Sequence, residues 1–330
     1  MNKLVVHMGP HKTGSTYIQK RLHENKQALQ DAGISYPDAY YLFFGHHYLL
    51  NALNGNESSS SIRKNFDSKV APANNIIISS ENFISLTKSG LVKLKEAFDD
   101  YEIFIIYYIR RPSLRVLSRW HEEVKQGGVV SAESYFVNHL FRPMQSSEVN
   151  NFRHVSVAAS VFGRDSIKLV DYDTALVENN MLSFVFLAMG SEAVVSDVGE
   201  SVNKMASLSE IEIIRFSNFS ALRAGKLKGA NVRNAFYSIY DEHYEKIKRL
   251  SDEIQGFFNE IALGDTSFDK AIHNILINEY RDVLLNKPSS LHEEIKTVPS
   301  SNWMMDTGLV NAASEIAGFV LSNLEEVAVE

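Results

Sequence analysis

The sequence contains no cysteine. That excludes disulfides, thiolate metal sites and a cysteine nucleophile. No apolar stretch approaches the roughly 18 residues of a membrane span, and the opening MNKLVV is too short a run for a secretory signal. The expectation is a soluble, cytoplasmic protein without membrane insertion. Positive charge is in short supply too. There are 33 Lys and Arg against 40 Asp and Glu, a net charge of −7. Such a chain is not built to coat nucleic acid, although a local basic site for one anionic ligand needs no net positive charge. No internal repeat is apparent.

What is present suits an enzyme-sized α/β chain. With 330 residues and 45% hydrophobic content, it can bury one large core, with or without an appendage. Four apolar runs rich in β-branched and aromatic residues stand out, at 4–8, 76–79, 103–109 and 167–172. Each is nearly continuous, as in strands buried on both faces of a parallel sheet. Helical patterns lie between them. Ile18, Leu22, Leu29 and Ala32 share one helical face that ends at Gly33, LVKLKEAF precedes the third run, and SLRVLSRWHEEVKQGG follows it. Strands alternating with helices give βαβ units, hence a P-loop-like, doubly wound parallel sheet with right-handed crossovers. The polar stretch at 54–61, NGNESSSS, reads as a surface loop or a lid. From about Leu208 the strand signals fade and amphipathic helices take over. We expect a core over 1–200 and a helical C-terminal region over 201–330, either part of the same domain or a small cap. The apolar stripe over 240–258 is core or a self-association face, which leaves a homo-oligomer open.

The first run leads into HMGPHKTGSTYIQ. A strand, a glycine-rich turn and a helix start form an anion site, because backbone N–H groups converge there and the helix dipole adds positive potential. Gly9 and Gly14 keep the glycine spacing of the ATPase signature, but the lysine slot holds Ser15, and Lys12 lies at the loop crest. The acidic residue that would hold magnesium at a neighbouring strand end is also missing. One such strand end reads RRP and would repel a metal. The other, SEN, offers Glu81 alone. No metal is expected.

PHKTGST followed by YIQ resembles the 5′-phosphosulfate loop of sulfotransferases that use 3′-phosphoadenosine 5′-phosphosulfate (PAPS). That loop reads Pro-Lys-[Ser/Thr/Ala]-Gly-[Ser/Thr]-[Ser/Thr]. Here His11 is inserted between Pro10 and Lys12, a form similar to that of many bacterial relatives. The family also grips the 3′-phosphate with an Arg at a strand end and a Ser eight positions later; IIYYIRRPSLRVLS supplies Arg110 and Ser118 in that order. An Arg fork with a hydroxyl suits a phosphate dianion. The segments at 162–176 and 201–218 also look like the family's. Nothing in the last third resembles its basic glycine-containing loop.

The resemblance implies a PAPS-dependent sulfotransferase acting on a carbohydrate or other small hydroxyl or amine acceptor. His11, Lys12, Thr13, Gly14, Ser15, Thr16, Arg110 and Ser118 would bind PAPS. Lys12 would also stabilise the charge that develops as 3′-phosphoadenosine 5′-phosphate (PAP) leaves, and Ser118 would restrain Lys12. The acceptor proton needs a base. Glu81, after the second run, is the first candidate, or else it caps the next segment. His47 is the weaker alternative, from a pair with His46 that could simply be packed among aromatics. His7 reads as a structural neighbour of the loop. Tyr17 is core or an adenine stack, and Trp120, His121 and Lys125 are candidates to border the acceptor groove. Two other readings stay open. One is a P-loop kinase or nucleoside-triphosphate hydrolase; the other is a non-catalytic nucleotide-binding module.

Overall fold

Val5 and Val6 are neighbours in sequence, face opposite sides of a sheet, and are both fully buried. That is why the first apolar run is continuous rather than alternating. In the computed structural model, which describes residues 1–70, 75–143, 145–146, 148–150, 152–192, 195, 206–263, 267–288 and 294–326, the strands are β1 (Asn2–His7), β2 (Ile34–Ser35), β3 (Asn75–Ser79), β4 (Tyr101–Ile109) and β5 (Ile167–Asp171). They form one parallel sheet in the order β2-β3-β1-β4-β5. Leu4, Val6, Ile76 and Ile78 meet helices Leu49–Asn54, Ser59–Asp67, Lys88–Ala97 and Phe152–Phe162 on one face. Val5, Ile77, Ile106, Tyr108 and Val170 meet helices Ser15–Glu24, Lys26–Asp31 and Ser183–Met189 on the other. The sheet is doubly wound, as expected. Each such buried aliphatic side chain contributes about 1.5–3 kcal/mol, which makes this two-sided core the main support of the loops at its edge.

The chain divides into two compact units. The first comprises Met1–Arg111, Asn150–Val202 and Lys270–Ser290 and holds this sheet; the second comprises Pro112–Val149, Asn203–Asp269 and Leu291–Glu330. The boundary expected at 200/201 lies outside the described residues. On the far edge of the sheet, Leu284 bridges Leu169 in parallel, and the Asn286 side chain bonds both the N–H and the carbonyl of Asp171 at 2.8 and 2.9 Å. A segment some 115 residues downstream therefore lines β5.

The second unit packs helices Pro112–Lys125, Leu208–Arg223, Asn231–Ser238, Tyr244–Gln255 and Thr307–Glu326 around Trp120 and Trp303, both fully buried. Helix Leu208–Arg223 opens with a capping box in which Ser207 and Glu210 satisfy each other's backbone N–H. Ile247, Leu250 and Ile254 of the 240–258 stripe point into this core. The last third is mainly helical, with one departure. β6 (Asn259–Leu263) and β7 (Glu294–Val298) pair antiparallel, so the helical reading of the stretch that runs through Gln255 fails at Asn259–Leu263, while it holds for helix Thr307–Glu326.

Two other details differ from the sequence reading. The helix after β1 breaks at Asn25, whose side chain bonds the Arg21 carbonyl at 2.8 Å, and Ala32 ends up exposed. The serines of 54–61 are neither loop nor lid, since Ser58 caps helix Ser59–Asp67 by accepting from the Ser61 N–H. Among the described residues, no helix is long and apolar enough to cross a membrane.

Candidate functional site

β1 is the central strand, and the chain leaves it toward β2 and β3 on one side while β4 and β5 lie on the other. The carboxyl end of a strand at such a reversal is where ligands bind in open α/β sheets. The loop after β1 is built to hold its shape. The Thr13 hydroxyl donates to the Pro10 carbonyl at 2.7 Å and is fully buried, so that hydroxyl braces the loop from inside. Lys12 sits at φ 70°, in the left-handed region, and Gly14 at φ 74°. A side chain at Gly14 would also press into the Met181 thioether, with a Cβ 2.1 Å from its methyl carbon.

Helix Ser15–Glu24 starts at Gly14 with no side chain capping its N–H groups and no acidic residue in its first turn. Those donors and the dipole face the loop unopposed by local negative charge. Ser15 is nearly buried and Thr16 exposed.

Arg110, just past β4, donates from its guanidinium to the Lys12 carbonyl at 2.9 Å. The two anion motifs read from the sequence are therefore in direct contact. The guanidinium also lies over the Tyr172 ring at 5.1 Å and 3.8 Å from Asp173, which receives a hydrogen bond from Arg111 at 3.1 Å. Tyr172 and Asp173 were not singled out from the sequence, although Tyr172 ends the fourth apolar run and Asp173 follows it. Ser118 lies on helix Pro112–Lys125 of the second unit.

The SEN segment follows β3 at the same edge. Ser80, not Glu81, caps the short 3-10 turn Glu81–Ser85, its hydroxyl accepting from the Asn82 N–H at 3.2 Å. Glu81 instead accepts from the side-chain amide of Gln19 at 2.7 Å. His47 Nδ1 is 2.8 Å from the Ser80 hydroxyl and 4.0 Å from Glu81 Oε2. Both candidate bases thus share one cluster.

Four of the other singled-out residues, His46, His7, Tyr17 and Trp120, have structural places. His46 is fully buried, with Nδ1 accepting from the Ser79 N–H at 3.1 Å and Nε2 donating to the Pro37 carbonyl at 2.9 Å. Its proton position is thereby fixed, and it is no base. His7 Nδ1 meets the Ser79 hydroxyl at 2.7 Å, while Nε2 packs against Gly9, where a Cβ would come within 2.5 Å. Tyr17 packs on the core beside Ile18 and Leu22. Trp120 is buried in the second unit with its N–H on the Val130 carbonyl, so it does not border a groove.

Burial lowers both His7 and His46 to about 4, against an ordinary 6.5. In each, the unfolded chain takes up a proton that the folded one refuses. The stabilisation is complete above pH 6.5 and is lost as pH falls from there toward 4. By pH 5 each histidine should have cost about 2 kcal/mol. Urea midpoints at pH 7.5 and pH 5 check this, and His46→Gln, which cannot protonate, should lose about half of the difference.

A comparison with solved structures finds five matching chains. A sulfotransferase from Alicyclobacillus acidocaldarius shares 16% sequence identity, covering 67% of this chain and 96% of that chain, with a TM-score of 0.41. Compared with family patterns and with curated proteins, the sequence matches none.

Proposed function

We propose that the protein is a PAPS-dependent sulfotransferase, moving the sulfuryl group of PAPS to a hydroxyl or amine of a carbohydrate or other small acceptor and releasing PAP. The observation that carries this reading is the 2.9 Å bond between Arg110 and the Lys12 carbonyl. Two motifs 98 residues apart, each suited to one phosphate end of the nucleotide, meet at one sheet edge. The donor set fits such a molecule. An uncapped helix start with the Ser15 and Thr16 hydroxyls suits the 5′ end, and the Arg110 fork suits the 3′-phosphate.

Sulfuryl transfer relies mainly on positioning and electrostatics. The acceptor oxygen or nitrogen forms its bond to sulfur as the sulfur's bond to the bridging oxygen breaks. Lys12 offsets the charge that develops on that bridging oxygen, and Glu81 takes the acceptor's proton. Glu81 is preferred to His47 because it follows β3 at the sheet edge that carries the loop. Of the strands flanking β1, β4 is followed by Arg110 and Arg111 rather than by the acidic partner that a magnesium-dependent kinase requires, and β3 by Glu81, whose Oε2 accepts from Gln19.

The test is a pair of measurements. PAP at 100 times its Kd should stabilise the protein by about 2.7 kcal/mol, seen as a raised melting temperature, whereas ATP with magnesium should not. Glu81→Gln should keep that shift and abolish transfer of labelled sulfate. A shift with ATP and magnesium alone would favour the kinase reading. PAP binding without transfer to any acceptor panel would favour a binding module.

A further inference from the structure

Gln19 occupies an odd place. Ser15, Ile18, Gln19 and Leu22 form the buried face of helix Ser15–Glu24, and Gln19 is 2% exposed. An aliphatic residue would ordinarily stand at such a position. The buried amide is there bonded to a carboxylate, Nε2 to Glu81 Oε2 at 2.7 Å. The amide orientation follows from chemistry, since an ionised carboxylate only accepts and the NH₂ must face it.

The surroundings are shaped around that contact. Gly45 passes so close that a Cβ there would lie 3.0 Å from the Gln19 amide carbon and 2.9 Å from His47 Nε2. Titratable groups that interact with Glu81 include His47, His7 and Tyr36. Burial keeps His7 neutral and pushes Tyr36 well above its ordinary value, so neither brings a countercharge at neutral pH. His47 Nδ1 is nearer to Ser80 than to Glu81. Among the described residues, the Gln19 amide is the hydrogen bond that Glu81 Oε2 receives, and no bond is made by Oε1.

We propose that Gln19 is the positioning residue for Glu81. It fixes one carboxylate oxygen from a rigid helix and leaves Oε1 for the acceptor's proton. The inference rests on the sulfuryl-transfer reading for its catalytic meaning, but its physical content, an amide that orients one carboxylate, stands apart from it.

The experiment uses the full chain with Gln19→Met, close in volume and without donors, and Gln19→Asn, which keeps an amide one methylene short of reach. Glutamate carboxyl carbons are labelled with ¹³C, and the Glu81 signal is assigned by its loss in Glu81→Gln. Gln19→Met should move the Glu81 carboxyl ¹³C signal from its wild-type position at pH 7.5, because Oε2 has lost its hydrogen bond. With saturating PAPS and acceptor, kcat should fall at least 10-fold while the KM for PAPS stays within 2-fold. Gln19→Asn should follow Gln19→Met in both readouts, which covers the case where the methionine variant does not fold. An unmoved Glu81 signal in a folded variant overturns the proposal, and so does an unchanged kcat. Signals that move as described in a protein whose wild type transfers nothing from PAPS overturn the proposed function instead.

Discussion

Lys12→Gly should slow sulfuryl transfer by about 10²–10³-fold, the usual effect of removing one donor aimed at developing charge, while leaving the fold intact. The backbone explains why the two effects separate. Lys12 lies at φ 70°, where an L-residue costs about 1 kcal/mol that glycine does not. Glycine also gains freedom in the unfolded chain, worth a similar amount in the opposite direction. The bond from Arg110 goes to the Lys12 carbonyl rather than to its side chain, so it survives the substitution. The melting temperature should therefore stay within about 3 °C of the wild type. Initial rates at saturating PAPS, measured beside a thermal melt, check both halves. A glycine variant that transfers at the parental rate would remove Lys12 from the chemistry.

The second large effect concerns stability and lies in the second unit. Glu212 is fully buried and accepts three hydrogen bonds, two from Arg215 at 3.0 and 2.7 Å and one from the Trp303 indole at 3.1 Å. Arg215, itself nearly buried, also donates to the Val129 carbonyl at 3.2 Å. Glu212→Ala removes the carboxylate and strands a buried guanidinium and an indole N–H. The expected loss is about 3–5 kcal/mol, the range for breaking a buried pair from one side. Replacing both partners, Glu212→Leu with Arg215→Met, should recover most of it, because the uncompensated charge is gone. Urea unfolding of the three proteins decides the matter. A single variant that unfolds at the wild-type midpoint would show that the pair is not what holds this core.

The sheet was readable because β1, β3, β4 and β5 are buried on both faces, and two-sided burial writes itself as unbroken aliphatic runs. β2 has two residues, Ile34 and Ser35, too few to make a pattern. β6 was hidden for another reason. Phe257, Phe258 and Ile261 continue a helical period beyond Gln255, and what makes 259–263 a strand is pairing with residues from 294 onward, which a local pattern cannot show. The places of the loop, Arg110 and Glu81 at the carboxyl edge of the sheet were legible because each follows one of those unbroken runs. Gln19 was missed although a signal existed, since a glutamine beside Ile18 and Leu22 interrupts the apolar part of the buried helical face. The capping role left open for Glu81 went to Ser80, one residue earlier, because a hydroxyl there reaches the Asn82 N–H.

The segment around Asn286 that seals β5 has a consequence for synthesis. A ribosome making this chain extrudes all five strands of the sheet more than a hundred residues before Leu284 and Asn286 emerge. At ordinary elongation of about 5–20 residues per second, β5 waits several seconds or longer with its outer N–H and carbonyl groups open to other strands. Nascent chains stalled before residue 284 should accordingly be the ones that recruit chaperones, and truncation there would yield an aggregating fragment rather than a smaller domain.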